Sequence, residues 1–216
     1  MIHFSGEETA GMICPRCDAH PRHRLLWTYL LKQQRDLFVN NLRLLHIAPE
    51  FCFMRHFRGM KNLQYVTVDL ASPLADNHAD VCALPFADAS FDVILSNHVL
   101  EHVCNDMMAM KELWRVLKSD GWAIMQVPVD KNLAITFEDA RITTPLERER
   151  HFGQHDHVRR YGVDYSDRLA KAGFGVEVVD YARGMAAGSI ERYGLDSCEE
   201  IYLCRKLNDP TGRSNL

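Results

Sequence analysis

The sequence of 216 residues lacks the features that mark membrane, secreted and nucleic-acid-binding proteins. No apolar run approaches the roughly 18 residues that a membrane-spanning helix needs. The first ten residues contain Glu7 and Glu8 and no basic stretch followed by an apolar one, so we expect no secretory signal peptide. There is no long basic run, and the formal net charge is −4. We therefore expect neither a membrane nor a nucleic acid as a partner.

The sequence also lacks the even, regularly spaced cysteines of a disulfide framework. It has seven cysteines, and Cys52, Cys82 and Cys204 lie in apolar surroundings that are typical of small buried side chains. Free thiols of this kind favour a reducing compartment, so we expect a cytoplasmic protein.

Cys14 and Cys17 form a single Cys-x-x-Cys pair near the N-terminus. A structural zinc ion needs four ligands, and His20 and His23 could complete the set. A redox pair and a remnant of a zinc ribbon are the alternatives. Because the pair alone is a weak signal, we predict no bound metal.

Apolar residues make up 47% of the chain, which is enough for a sizeable core. Strand-like segments alternate with helical ones in the first half, and this predicts an α/β, Rossmann-like fold: a seven-stranded, mostly parallel sheet with helices on both faces. The predicted strands are residues 42–48, 65–70, 79–83, 91–96, 122–127, 176–181 and 201–204. The predicted helices are residues 22–38, 51–58, 107–118 and 165–172. We expect Asn105 or Asp106 to cap the 107–118 helix, and Gly121 to end it in a left-handed turn.

The chain divides into three predicted parts. Residues 1–40 form an irregular segment and a helix, residues 41–207 form the main domain, and residues 208–216 form a flexible tail. Within the main domain, residues 129–162 are polar and have no clear period. A long stretch of this kind in a compact domain is typical of a lid or a binding loop, and a solvated charged loop is the alternative.

A carboxylate, Asp69, follows the second predicted strand about 20 residues after the turn at Ala48, and this is where dinucleotide-binding folds hold ribose hydroxyls. We therefore predict a ribose-binding role for Asp69. The alternative is an acidic residue that caps a local turn at the end of its strand.

A set of motifs follows along the next part of the chain. They are Asp80-Val-Cys-Ala-Leu-Pro-Phe86, Ser90-Phe-Asp-Val-Ile94, His98-Val-Leu-Glu-His102, Glu112-Leu-Trp-Arg-Val-Leu-Lys118 and Gly121-Trp-Ala-Ile-Met-Gln-Val-Pro128. With these motifs the chain resembles the class I methyltransferases that use S-adenosylmethionine, in the subgroup with an Asp-x-x-x-Leu-Pro-Phe loop. The resemblance covers residues 42–128.

The resemblance implies S-adenosyl-L-methionine as the cofactor. It also implies that Asp80 accepts a hydrogen bond from the adenine amine, that the Val81 N–H donates to the ring, and that Leu70 packs on the adenine face. Asp92 is expected to be structural. The remaining implied cofactor-binding residues are Ala48, Pro49, Glu50 and Asn97.

One departure from the family pattern lies after the first strand. The family has a glycine-rich loop here, and this chain has His46-Ile-Ala-Pro-Glu50. Proline has no N–H, and no glycine eases a close approach of the backbone. A pyrophosphate needs such glycines, which disfavours a nicotinamide dinucleotide. S-adenosylmethionine carries no phosphate, so the departure is more tolerable for this cofactor.

Several histidines are candidates for catalysis. His98 follows the fourth strand, where the resemblance places the reactive methyl group, and it could act as a base or orient the acceptor. The alternative is a histidine satisfied by a backbone carbonyl. In the polar segment we predict catalytic roles for His155 and His157, which share one side if the segment is extended. We predict acceptor binding by His151, Arg159 and Tyr161. With Asp156 between them, His155 and His157 also resemble a metal site, and we favour catalysis over this alternative.

The sequence thus predicts methyl transfer from S-adenosylmethionine to a small polar acceptor through an O, N or S nucleophile. An inactive protein that keeps the fold and binds a nucleoside or a partner is one alternative. A nicotinamide-dependent oxidoreductase is the other.

Overall fold

The computed structural model describes residues 13–207, so the expectations for residues 1–10 and for the tail at 208–216 lie outside the described part. The helices are α1 (Pro21–Gln33), α2 (Asp36–Val39), α3 (Phe51–Phe57), α4 (Asp106–Val116), α5 (Pro145–Phe152), α6 (Tyr165–Lys171) and α7 (Ser189–Tyr193). The strands are β1 (Leu42–Ile47), β2 (Leu63–Asp69), β3 (Asn77–His78), β4 (Phe91–Asn97), β5 (Leu117–Gln126), β6 (Phe137–Glu138), β7 (Arg159–Arg160), β8 (Phe174–Val179) and β9 (Ile201–Lys206). None of the helices in residues 13–207 has the length and apolar character that crossing a membrane requires.

Seven strands form one sheet in the order β3-β2-β1-β4-β5-β9-β8. Strands β1 to β5 pair in parallel, and β9 runs antiparallel to both of its neighbours. The predicted α/β, Rossmann-like fold with a mostly parallel sheet is therefore confirmed. The strand order reverses between β1 and β4, which are neighbours in the sheet although β2 and β3 lie between them in the chain.

The sheet buries both of its faces. Successive side chains of a strand point to opposite faces, and in β1 Leu44 and Leu45 accordingly belong to two different core clusters. One cluster packs the sheet against α4 and α6, and the other packs it against α1 and α3. Through Leu25, Leu26 and Leu30, which are fully or almost fully buried, α1 is part of the second cluster.

The structure corrects two local predictions. The third strand is Asn77–His78, pairing with the end of β2, and residues 79–83 form no strand. Gly121 lies inside β5 rather than at a left-handed helix end, because α4 stops at Val116. A Cβ at Gly121 would lie 2.7 Å from the Asp92 carbonyl oxygen, so glycine serves the close approach of two strands. Asn105 caps α4 as expected, its side chain accepting from the Met108 N–H at 3.0 Å.

The polar segment 129–162 has more regular structure than the sequence predicts. It contains α5, and it contains β6 and β7, which pair as a small antiparallel sheet. A sequence signal for α5 was present: Thr144 and Glu147 form a capping box, Pro145 occupies the first helical position, and Gly153 ends the helix with a φ of 94°. The helix was missed because its exposed residues show no apolar period.

Candidate functional site

The carboxyl ends of β1 and β4 meet at the point where the strand order reverses. Ile47 pairs with Ser96 there, so Ala48 and Asn97, the residues that follow, stand side by side. In open α/β sheets ligands bind in the crevice that this reversal creates. The predicted cofactor residues come from the loops around it.

The loop after β1 forms its turn without glycine. Ala48 adopts a φ of 48°, in the left-handed region that glycine favours, and its N–H donates to the Val68 carbonyl at 2.8 Å. Alanine carries the smallest side chain that has a Cβ, so the turn survives at a strain cost on the order of 1–2 kcal/mol. Pro49 behind it is buried. The loop therefore makes its left-handed turn with alanine in the place of glycine.

Glu50 begins α3 and faces two histidines. Its carboxylate lies 2.5 Å from Nε2 of His46 and 3.5 Å from Nε2 of His23. The other ring nitrogen of His46, Nδ1, lies 2.8 Å from the Tyr65 hydroxyl, so both ring nitrogens of this buried histidine have partners. Although burial acts to raise the pKa of the Glu50 carboxyl, the adjacent His46 holds that pKa below its ordinary value. Through its contacts with His46 and His23, Glu50 holds the loop after β1 in place.

Asp69 ends β2, and Asp80 follows β3 two residues after its last residue. Oδ1 of Asp69 accepts from the N–H groups of Ala71 and Ser72 at 2.8 and 2.7 Å. Oδ1 of Asp80 accepts from the Cys82 N–H at 2.8 Å. Each acid therefore caps a local turn, as the alternative interpretation of Asp69 expects. Each carboxylate retains a second oxygen, so a turn-capping role and a ligand-binding role are compatible.

The side chains next to these acids differ in exposure. Leu70 is 73% exposed, which is unusual for a large apolar residue, and it is free to pack against a ring. Val81 is buried in the core. Asp92 lies far down at the start of β4, where it accepts from the Arg43 N–H and pairs with Lys118, which confirms its structural role.

The end of β4 carries buried polar groups that lack partners. Asn97 is 5% exposed and Glu101 is 1% exposed. Among the described residues, both polar atoms of the Asn97 amide and both carboxylate oxygens of Glu101 have no hydrogen-bond partner, and the same holds for the Ser96 hydroxyl and for Nε2 of His98. Buried polar groups are usually satisfied, so this concentration marks a place where a ligand is expected to bind.

His98 stands between two carboxylates. Its backbone has a φ of 52°, its Nδ1 lies 3.3 Å from Glu101, and its Nε2 lies 3.8 Å from Glu199. Burial acts to lower the pKa of His98, but the two carboxylates outweigh burial and raise it to about 9. A protonated imidazole donates hydrogen bonds, so these surroundings favour the orienting role over the base role that the sequence left open.

The structure corrects the acceptor-binding roles of Arg159 and Tyr161. Arg159 is 2% exposed, and its guanidinium donates to the carbonyls of Leu100, Val103 and Cys104. The hydroxyl of Tyr161, which is fully buried, donates to Asp106 at 2.8 Å. Both side chains tie the polar segment to the turn after β4, and neither is available to an acceptor.

The three histidines of the polar segment separate in the structure. His151 and His155 are exposed, whereas His157 is buried, with Nδ1 3.3 Å from the Phe152 carbonyl oxygen. The expected extended backbone is a turn at residues 155–156, so His155 and His157 do not share one side. His157 instead meets His102, the rings lying 4.8 Å apart.

Cys14 and Cys17 line an apolar cavity of about 440 Å³ between α1 and α3, together with Cys52, His23 and Trp27. All seven cysteines are free thiols. Neither cysteine of the pair belongs to a group of three close metal-binding side chains within residues 13–207, so the geometry gives no support to a zinc site at the pair.

The comparisons with known proteins agree with this architecture. The family model of a methyltransferase domain matches residues 53–125. An uncharacterised 37.1 kDa protein in a Streptomyces fradiae transposon is 33% identical over 128 residues, which cover 56% of this chain and 33% of that protein. A probable S-adenosylmethionine-dependent methyltransferase of Mycolicibacterium smegmatis is 32% identical over 101 residues, covering 46% and 35% of the two chains. The chain thus spans about a third of the length of these curated relatives.

Among solved structures, an S-adenosylmethionine-dependent methyltransferase of Mesorhizobium loti superimposes with a TM-score of 0.56 over 84% of this chain and all of that one. The two sequences are 15% identical, so this likeness supports the fold alone.

Proposed function

We propose that this chain, whose residues 53–125 match a methyltransferase domain, transfers the methyl group of S-adenosyl-L-methionine to a small polar acceptor. The observation that carries the proposal is the crevice between β1 and β4. One side offers a carboxylate and an exposed apolar side chain, Asp69 and Leu70, to a nucleoside. The other side offers the unpaired amide of Asn97.

The residues around the crevice fit an adenosine-containing cofactor. The second carboxylate oxygen of Asp69 would bind the ribose, Leu70 would cover one face of the adenine, and Asp80 with the Val81 N–H would read its edge. Ala48 and Pro49 would bound the methionine part, and Glu50 would hold that loop in place through His46. The bound cofactor supplies a methyl group on a sulfonium that is already activated.

The protein's main contribution to such a transfer is positioning. Alignment of two reactants can contribute up to about 7–11 kcal/mol. We assign the positioning of the acceptor to Asn97 and His98, because both lie at the end of β4 with buried polar atoms that lack partners. His155 and His151, being exposed, can contact only an acceptor that reaches the outer edge of the crevice.

The seven free thiols support a reducing, cytoplasmic location, and no nucleic acid or membrane is needed for this activity. An inactive protein that binds the nucleoside remains the second candidate, and the strained loop at Ala48 is the observation that favours it.

Calorimetric titration with S-adenosylhomocysteine, S-adenosylmethionine and NADH tests the proposal. We expect one equivalent of each adenosyl compound to bind, and NADH not to bind. Release of S-adenosylhomocysteine during a screen of small metabolites then separates an enzyme from an inactive binder. Binding of NADH without binding of S-adenosylhomocysteine would overturn the proposal in favour of an oxidoreductase.

A further inference from the structure

A group of metal-binding side chains lies beside the crevice. Glu101, His102 and His157 each offer one ligand atom, and the three atoms lie within 4.8 Å of one another. Glu101 and His102 belong to the turn after β4, and His157 comes from the loop between α5 and β7. The Val158 N–H donates to the Glu101 carbonyl at 2.9 Å, so the backbone holds these two segments together.

Both histidines are oriented by an oxygen atom on one side of the ring. Nδ1 of His157 lies 3.3 Å from the Phe152 carbonyl oxygen, and Nδ1 of His102 lies 3.3 Å from a carboxylate oxygen of Asp156. An oxygen at Nδ1 favours the tautomer that carries its proton there, which leaves the lone pair on Nε2. Histidines that bind metal ions commonly donate their other N–H to a carbonyl or a carboxylate in this way.

Glu101 supplies a second, independent indication. Its side chain is 1% exposed, and neither carboxylate oxygen has a hydrogen-bond partner among the described residues. Burying a carboxylate without donors is costly, and buried charges are normally paired or coordinate metal ions. His98, at 3.3 Å, balances this charge from one side only. A cation between Glu101 and the two histidines would satisfy the other side.

We propose that Glu101, His102 and His157 bind a divalent transition metal ion, with zinc as the best match. Two imidazoles and one carboxylate are a ligand set that zinc accepts, and three protein ligands leave one position open. Tetrahedral coordination at about 2.1 Å spaces ligand atoms about 3.4 Å apart, so a small closure of the cluster completes the site. The side chain of His102 is 35% exposed, which gives the ion an entry path.

A metal ion at this site would link the polar segment 129–162 to the turn after β4. The ion would fix His157 against the turn that also carries His98, and its open position would accept water or an oxygen atom of a ligand. This inference does not depend on methyl transfer, because the cluster is complete without the cofactor.

Zinc titration of the metal-free full chain tests the proposal. The titration uses the C14S/C17S variant, which lacks the Cys14 and Cys17 thiols that could bind zinc elsewhere. We expect one zinc ion to bind with a micromolar or lower dissociation constant, and saturating zinc to raise the melting temperature. Cobalt(II) should give the visible absorption of a four- or five-coordinate ion without a thiolate band. H102N and H157N should each weaken zinc binding at least tenfold, and H155N, a neighbouring exposed histidine, should not.

Unaltered zinc affinity in both H102N and H157N would overturn the proposal, as would the absence of binding in the C14S/C17S background. If H157N does not fold, H102N decides, because its side chain is partly exposed. E101Q gives a further readout: it should bind zinc at least tenfold more weakly, because the neutral amide is a poorer ligand than the carboxylate. S-adenosylhomocysteine titration of the same variants shows separately whether the cofactor site is intact.

Discussion

The two sides of the crevice, which we propose bind the adenosine and the acceptor, hold their polar groups in different ways. On the adenosine side, Asp69 and Asp80 are partly or fully exposed, and each gives one oxygen to N–H groups two or three residues ahead. On the acceptor side, Asn97 and Glu101 are almost fully buried, and their polar atoms have no hydrogen-bond partner in residues 13–207.

The first set of side chains is positioned by local hydrogen bonds, and the second set is positioned by tertiary contacts. A carboxylate that caps its own turn is positioned by residues next to it in the chain, and water stabilises its charge. The acceptor side depends on distant segments, since Arg159 joins the polar segment to residues 100–104. Substitutions on the adenosine side should therefore report on binding, whereas those on the acceptor side should also change stability.

The largest effect should come from Arg159→Ala. Removing a buried guanidinium leaves three carbonyls and the Glu138 carboxylate without this donor, and the free energy of unfolding should fall by about 3–5 kcal/mol. Urea denaturation measures it. Arg150→Ala, in the same segment but exposed, should stay within about 0.5 kcal/mol of wild type. If Arg159→Ala loses turnover at full stability, Arg159 contacts the acceptor. Substitutions on both sides of the crevice would then report on binding alone.

Asp69→Asn should affect binding and not folding. Asparagine keeps an oxygen for the local turn but loses the charge, which should cost about 1.5–3 kcal/mol of S-adenosylhomocysteine affinity, roughly a 10- to 150-fold rise in Kd. Calorimetry measures the affinity. Asp92→Asn is the matched control, because it breaks the pair with Lys118 and should lower stability with the affinity intact. An unchanged affinity in Asp69→Asn would leave Asp69 with a turn-capping role only.

Asn97→Leu should show the opposite behaviour on the acceptor side. The leucine has the same branched arrangement of side-chain heavy atoms and removes two unpaired polar atoms, so the free energy of unfolding should rise by about 1–2 kcal/mol while acceptor turnover falls. Thermal or urea denaturation beside a turnover assay measures both. A loss of stability would mean that Asn97 has a partner in the folded protein, and the contrast between the two sides would weaken.

The smallest expected effect concerns His23, which lies under the adenosine-side loop beside Glu50. Burial lowers the pKa of His23 from 6.5 to about 3. The unfolded chain therefore takes up a proton first as the pH falls through 6.5, and stability declines below that pH by about 1 kcal/mol at pH 5.5. His23→Gln retains an acceptor for the His20 N–H and should lack this part of the pH dependence. Equal pH profiles for the two proteins would show that His23 does not resist protonation.

Much of the fold was predictable because its signals are local. The apolar runs of β1 and β4 and the period of α4 do not depend on remote contacts. The third strand was misplaced because two residues that pair only with the end of β2 leave no pattern of their own. Helix α5 was missed although Thr144 and Glu147 signal its start.

The residues of the candidate site likewise divide into those that local sequence signals predict and those that only the fold explains. The place of Asp69 after its predicted strand and the Leu-Pro-Phe motif after Asp80 single out these two acids, and in the structure each caps a local turn. Arg159 and His157 belong to a segment rich in histidine and arginine, and composition alone could not distinguish an exposed ligand-binding side chain from a buried one.

The sequence by itself determined the class of the fold, the strand ends that bound the crevice and the family that the chain resembles, because each of these rests on residues close together in the chain. The tertiary structure alone decided which polar side chains are buried, which are satisfied and which meet. Arg159 and Leu100 are 59 residues apart and His157 and His102 are 55 apart, and only folding brings each pair into contact. Burial then sets the cost of an unsatisfied polar group, and that cost is the reason that we propose ligands for Asn97 and Glu101.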